Sequence, residues 1–306
     1  MTCPSRPGTP PPPGAQRVEA IRFTGSDPAA RQEIVADEVP VSLVFNRFPF
    51  AVMLATPVDL EDLAVGFSLT EGIVADPSTV RDIHVRDAGE GVEVSMTIDR
   101  DNYMGLRERH RRTLMAGSSC GLCGTDRVEE ALRPVDPIVS ARRFRPQAIS
   151  RAMAGLPGLQ VMNRDVGAFH AAAFADPDGD LLLVREDVGR HNALDKLIGA
   201  LARAGIDRDA GFAAVSSRCS YEMARKTAAA GIPLIATVSA PTALAITLAG
   251  EVGLGLVAFA RDSRFNLYAM PSRIGGEGGC QSLSQSLSLS LSLSPGSPVP
   301  PLSPKG

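Results

Sequence analysis

Long apolar runs are missing from this 306-residue chain, because Gly, Pro or a charged residue interrupts every stretch well before the roughly 18 apolar residues that a membrane span needs. Residues 1–16 hold six prolines and lack the apolar core of a secretion signal, so a cytoplasmic protein is expected. Cysteine is scarce. Five scattered thiols (Cys3, Cys120, Cys123, Cys219, Cys280) cannot frame a disulfide-held fold in a chain this long, and a reducing compartment suits them better. A basic excess is lacking too: the formal charge is −3, which argues against general affinity for a nucleic-acid backbone. There is no Gly-Lys-Ser or Gly-Lys-Thr phosphate loop and no Gly-x-Gly-x-x-Gly between strand and helix. ATPase and simple dinucleotide-dehydrogenase chemistries are therefore poor readings.

What the chain does have is 44 % hydrophobic residues, enough for a real core. Its Pro-rich head (1–16) and its Gly/Ser/Leu/Pro tail (275–306) read as disordered low-complexity ends. An α+β portion is expected over 17–145 and an α/β domain over 146–274. In the first, a strand pattern covers 34–45. A helix should start with Thr56 as cap, Pro57 in its first position and Asp59 in its first turn, presenting Leu60, Leu63, Ala64 and Phe67 as an apolar face. Val92, Val94, Met96 and Ile98 share one parity, as a half-buried strand requires. In the second, apolar runs at 180–185, 211–215, 234–238 and 254–259 alternate with helical patterns at 192–203, 221–230 and 241–251. That alternation predicts parallel strands joined by crossovers.

Ligands of open α/β sheets collect at the carboxyl ends of the strands. The segments there are Glu186-Asp187-Val188-Gly189-Arg190-His191-Asn192, Ser216-Ser217-Arg218-Cys219-Ser220, Ser239-Ala240-Pro241-Thr242 and Arg261-Asp262-Ser263-Arg264-Phe265-Asn266. Their hydroxyls, amides and arginines suit a phosphorylated or heterocyclic ligand, although helix caps draw on the same residue types. Cys219 reads as a small packing residue.

Cys120 and Cys123 stand in the segment Met115-Ala116-Gly117-Ser118-Ser119-Cys120-Gly121-Leu122-Cys123-Gly124, with Arg107, Arg109, His110, Arg111 and Arg112 just before it. A helix starting near Asp126, with Glu129 completing a capping box, and the neighbouring arginines would both favour thiolate. Zinc would need four ligands and finds one pair, and a zinc deaminase would need a His-x-Glu with Pro-Cys-x-x-Cys, which is absent. Dithiol exchange and relay of sulfane sulfur both fit an exposed, flexible pair.

Several segments form an ordered series: Thr56-Pro57-Val58-Asp59-Leu60-Glu61-Asp62-Leu63, Thr70-Glu71-Gly72-Ile73, Ser119-Cys120-Gly121-Leu122-Cys123-Gly124 and His170-Ala171-Ala172-Ala173. The series continues with Glu186-Asp187-Val188-Gly189-Arg190-His191-Asn192-Ala193, Ser220-Tyr221-Glu222, Ser239-Ala240-Pro241-Thr242 and Phe265-Asn266-Leu267-Tyr268. Taken in order, these segments resemble the FdhD family of formate dehydrogenase accessory sulfurtransferases. The resemblance implies a cytidine-deaminase-like C-terminal domain without zinc. It implies a function as well: sulfur taken from a cysteine desulfurase is carried as a persulfide to molybdenum bis(molybdopterin guanine dinucleotide), the cargo, for a molybdenum-dependent formate dehydrogenase. By position, Cys120 would be the persulfide cysteine and Cys123 its partner, while Phe259, Ala260, Arg261, Asp262, Ser263 and Arg264 would match the cofactor-binding stretch. A homodimer is implied too, and neither nucleic acid nor membrane is an expected partner. A noncatalytic cofactor chaperone and a thiol oxidoreductase are the alternatives. Asp262 stands where family members often carry Gly, and Ser216-Ser217-Arg218-Cys219 departs from a Ser-Gly-Arg-Ala pattern.

Overall fold

The computed structural model describes residues 10–115 and 134–275, with side chains described only through residue 108 of the first span. Cys3, Cys120, Cys123, Cys280, the helix expected near Asp126 and the Ser/Leu tail all lie outside the described residues.

The N-terminal portion begins with a two-stranded antiparallel hairpin, β1 (Ala15–Thr24) and β2 (Asp27–Ala36), so strand structure starts inside the stretch expected to be disordered. The strand expected over 34–45 is in fact two. Asp37 and Glu38 separate the end of β2 from β3 (Val39–Phe45), which joins β4 (Phe48–Ala55), β5 (Arg81–Asp87) and β6 (Val92–Thr97) in a four-stranded sheet of order β4-β3-β6-β5. Val94, Met96 and Ile98 are buried, as their shared parity required. Helix α2 (Arg100–Met115) carries the basic run that precedes the cysteines.

Helix α1 (Leu60–Thr70) starts three residues later than the capping pattern suggested. Its N-terminal flank is Asp59 in the left-handed region, φ 52°, with no side-chain cap. Thr56 is instead drawn into the second half of the molecule, where its hydroxyl accepts from the Val188 N–H at 3.1 Å. Nor is α1 amphipathic in its surroundings, because Asp62, Val65, Gly66 and Ser68 are buried along with Leu60, Leu63 and Ala64, while Phe67 of the expected face is half-buried. It lies between the small sheet and the larger domain, so both sides are covered.

The larger domain is built on a six-stranded sheet of order β12-β11-β10-β9-β7-β8, comprising β7 (His170–Ala175), β8 (Leu181–Asp187), β9 (Phe212–Val215), β10 (Leu234–Thr237), β11 (Gly255–Arg261) and β12 (Arg264–Ala269). The four expected strands β8, β9, β10 and β11 do run the same way, but β7 is inserted antiparallel between β8 and β9, and β12 pairs antiparallel to β11. β7 escaped notice because it is His-Ala-Ala-Ala-Phe-Ala, with no β-branched residue to mark it. Three crossover helices, α5 (Arg190–Arg203), α6 (Tyr221–Ala229) and α7 (Ala243–Val252), cover one face, and α3 (Pro146–Leu159) covers the other. A short helix, α4 (Asn163–Val166), leads into β7.

The two portions share one core, which includes Leu43, Leu63, Val94, Leu197, Ile198 and Met223. α1 and α5 touch backbone to backbone: a Cβ at Gly66 would sit 1.7 Å from the Asp195 carbonyl oxygen, and one at Gly199 would sit 1.8 Å from that of Asp62. Only glycine permits this approach. Buried ion pairs surround the crossing. Lys226 Nζ lies 2.8 Å from Asp195 and 2.9 Å from Glu71, and Arg225 reaches Glu71 at 2.5 Å. Burial alone would lower the Lys226 ammonium, but Asp195 and Glu71 outweigh it and hold its pKa above the usual value.

Candidate functional site

Because β8, β9, β10 and β11 are co-directional, their carboxyl ends share one edge, and the amino end of β7 opens onto it as well. Many of its polar groups are committed to the fold. Asp187 is wholly buried and accepts from Thr56 N at 3.1 Å, Gly189 N at 2.7 Å and Asn192 Nδ2 at 3.1 Å, and it pairs with Lys196 Nζ at 2.7 Å. Glu186 accepts from the N–H groups of Met162 and Asn163 at the start of α4, and burial raises its pKa. Ser216 accepts from Ala171 N, Ser217 donates to the Arg218 carbonyl, and Thr242 caps α7 by accepting from Ala245 N. For these residues the structural account is complete.

The remainder is a cluster around the starts of α5 and α6. Arg190 is the first residue of α5, and its Nε is buried with no hydrogen-bond partner. Burial lowers the pKa of this guanidinium, the nearby Arg218 lowers it further, and Glu222 acts against both. The Arg190 and Arg218 side chains make no hydrogen bond or ion pair among the described residues, and Arg218 is exposed. His191 Nε2 lies 3.2 Å from Glu222 and 3.4 Å from Ser220 Oγ. Burial, followed by Arg190 and Lys226, pushes His191 down to about 4, so its contact with Glu222 at neutral pH is a hydrogen bond of a neutral ring and not an ion pair. His170, at the start of β7, is lowered by burial and Arg190 together. Neither Gly189 nor Ser220 caps its helix with a side chain.

Further along the same edge are the residues matched to the cofactor stretch. They form the end of β11, a two-residue turn and the start of β12, where a longer loop was expected. Asp262 and Ser263 both have positive φ, 49° and 59°, which makes the turn of the left-handed kind that matches strand twist. At Asp262 this is the conformation that Gly adopts freely and Asp tolerates. A bulge between Ala258 and Arg261 holds Phe259 at φ 53° and 46 % exposed, while Arg261 Nε donates to the Val238 carbonyl at 3.1 Å. Ala260 is buried; Arg261, Asp262, Ser263 and Arg264 are exposed.

Cys219, expected to pack, is fully buried in this edge, and burial pushes its thiol up to about 12. It is therefore not a nucleophile. Arg190, His191 and Arg218 were read only as parts of ligand-suited strand-end segments, and His170 and Glu222 were given no binding role. The signal that could have found them is the strand-to-helix position of Glu186-Asp187-Val188-Gly189-Arg190-His191, whose acids belong to the fold and whose Arg and His do not.

Comparison with known proteins gives one family, FdhD/NarQ, whose model matches residues 36–275. The chain is 49 % identical over 269 residues to the sulfur carrier protein FdhD of Xanthomonas campestris pv. campestris, covering 88 % of this chain and 95 % of that one. It is 45 % identical over 260 residues to the sulfur carrier protein FdhD of Bordetella bronchiseptica, covering 85 % and 94 % respectively. Among solved structures, a Desulfotalea psychrophila protein proposed to be a formate dehydrogenase accessory protein superposes with a TM-score of 0.68. That match has 22 % identity and covers 86 % of this chain and all of the other, which speaks to the fold.

Proposed function

The chain belongs to the FdhD/NarQ family, and from that premise we propose that it is a sulfur carrier that serves formate dehydrogenase through a persulfide on Cys120. The Cys120 thiolate attacks the terminal sulfur of a persulfide on a cysteine desulfurase. A new S–S bond forms as the old one breaks, and the desulfurase cysteine leaves as a thiolate. The Cys123 thiolate then attacks the inner sulfur of the Cys120 persulfide, a Cys120–Cys123 disulfide forms as the persulfide S–S bond breaks, and the terminal sulfur leaves at the sulfide level to become a ligand of the molybdenum of the bis-guanylyl molybdopterin cargo. The cargo would lie along the strand-end edge, against Phe259, Ala260, Arg261, Asp262, Ser263 and Arg264. A desulfurase and a molybdenum-dependent formate dehydrogenase are the partners in this scheme, and a cytoplasmic homodimer is the working form. No helix among the described residues is long and apolar enough to cross a membrane.

The observation that supports the reading most is the Cys120-Gly121-Leu122-Cys123 pair inside the span matched by the family. The test is incubation with a desulfurase and cysteine, followed by mass spectrometry. Wild type should gain sulfane sulfur, one added sulfur per labelled chain, and Cys120→Ala should not. Equal labelling of the mutant would remove Cys120 from the chemistry. A second reading, a chaperone that holds the cargo without passing sulfur, draws on the unpaired cations of the strand-end edge, which do not depend on the cysteines. A double Cys120→Ala/Cys123→Ala variant that still restored formate dehydrogenase activity would favour it.

A further inference from the structure

We propose that helix α2 is the docking surface for an acidic face of the protein that hands sulfur to Cys120, its arginines steering that donor to the thiol. This rests on the sulfur-carrier reading and adds to it the surface by which the donor is recognised. The helix departs sharply from the charge of the chain around it. Arg100–Met115 holds five arginines (Arg100, Arg107, Arg109, Arg111 and Arg112) against two carboxylates, Asp101 and Glu108, a local net of +3 in a chain whose total is −3.

Packing does not account for this charge. One side of α2 is seated in the core through Leu106, which is wholly buried, with Tyr103 partly buried beside it. Arg100, Met104 and Arg107, spaced by four and then three residues, form an exposed row on another side, and Arg111 takes the next position of that row in the sequence. Arg100 is the first residue of the helix, where a cation opposes the macrodipole, and it makes no hydrogen bond or ion pair among the described residues. Arg107 is held in place: its guanidinium lies 4.7 Å from the centre of the Phe48 ring and donates to Tyr103 Oη at 3.1 Å, yet it stays exposed. Position gives the surface its use. Cys120 follows Met115 by five residues, so its Cα lies no more than about 18 Å from that of Met115, and a protein seated on α2 is held beside the cysteine. A carboxylate-rich protein face suits the helix better than a nucleic acid or a bilayer does. A net of +3 neutralises few phosphates, and Met104 is too little apolar surface to enter a membrane interface.

The test uses the full chain with a cysteine desulfurase as the donor, and affinity is read by calorimetry in the Cys120→Ala background, where no sulfur chemistry intrudes. Affinity should fall about tenfold or more as salt is raised from roughly 0.05 M to 0.5 M. At the lower salt, Arg109→Gln/Arg111→Gln/Arg112→Gln should weaken the complex about tenfold and Arg100→Gln about threefold. Gln matches Arg in helix propensity, so these variants keep the helix. Arg151→Gln, at an exposed ion pair on α3, is the control and should stay within about twofold of its parent. Salt-insensitive affinity, undiminished affinity in the triple variant, or no complex at all would each overturn the proposal. So would tighter binding to duplex DNA or to phosphatidylglycerol vesicles that the triple variant loses, because the helix would then serve another partner. Mass spectrometry with Cys120 restored separates the two claims. If the complex depends on the arginines but Cys120 gains no sulfur, the sulfur-carrier reading falls and the docking surface stands; if the triple variant gains sulfur as fast as wild type, the docking surface falls alone.

Discussion

The seam where α1 meets α5 and α6 and the strand-end cluster around Arg190 are made from the same kinds of side chain. In the seam, Lys196, Asp187, Lys226 and Asp195 are buried and every charge has an opposite within 3 Å. In the cluster, Arg190 and Arg218 have none among the described residues, and burial lowers the pKa of both adjacent imidazoles, His170 and His191. Arg190 and Lys196 lie on one helix, less than two turns apart. Position on a helix does not decide whether a charge belongs to the fold; the presence of its partner does. A paired buried charge joins two portions of the chain, while the guanidiniums of Arg190 and Arg218 tie down no other part of the described residues.

The contrast can be broken most forcefully at Lys196. Lys196→Met leaves Asp187 buried and uncompensated beside Thr56, and unfolding in denaturant should show a loss of about 3–5 kcal/mol. A loss under about 1 kcal/mol would mean that the seam is not held by charge. An effect of intermediate size should come from pH. His191 has a folded pKa of about 4 against an ordinary 6.5, so an unfolded chain takes up its proton first as pH falls. Stability should therefore be full above 6.5 and decline between 6.5 and 4. His170 adds in the same direction, and Glu222, raised by burial, acts oppositely above its ordinary range. The difference between wild-type and His191→Gln melting curves isolates one residue: the variant should lose less on acidification, and parallel curves would refute this. Smallest of all is Arg218→Gln, which should change stability by no more than about 0.5 kcal/mol because its side chain holds nothing in the fold. A large loss there would erase the distinction between the two regions.

Much of the fold was readable. The β8-α5-β9-α6-β10-α7-β11 succession follows from apolar runs alternating with helical patterns, each bounded by recognisable stops such as Gly231 and Pro233. β7 and β12 were not readable, one for its alanines and the other because Arg264 and Asn266 look like loop residues until the left-handed Asp262-Ser263 turn folds them back. Thr56 satisfied every local rule for a helix cap and serves a distant loop instead, since the Asp187 carboxylate and the Val188 N–H offer it stronger partners. The strand-end edge was located from loop composition, but composition could not separate Glu186 and Asp187, which support the backbone, from Arg190 and His191 beside them. That division depends on which atoms already have partners, and only three-dimensional placement reveals it.

The contact between Gly66 and Gly199 bears on how this protein can change over time. A single added methyl at either position would strike the facing carbonyl, so neither helix can shift to accommodate it unless the other moves as well. Substituting either glycine therefore forces the two helices apart, and substituting both adds a second clash. Natural drift in the family should leave this pair standing while the outer faces of the same helices diversify, and a library randomised at one of the two positions should return glycine almost alone.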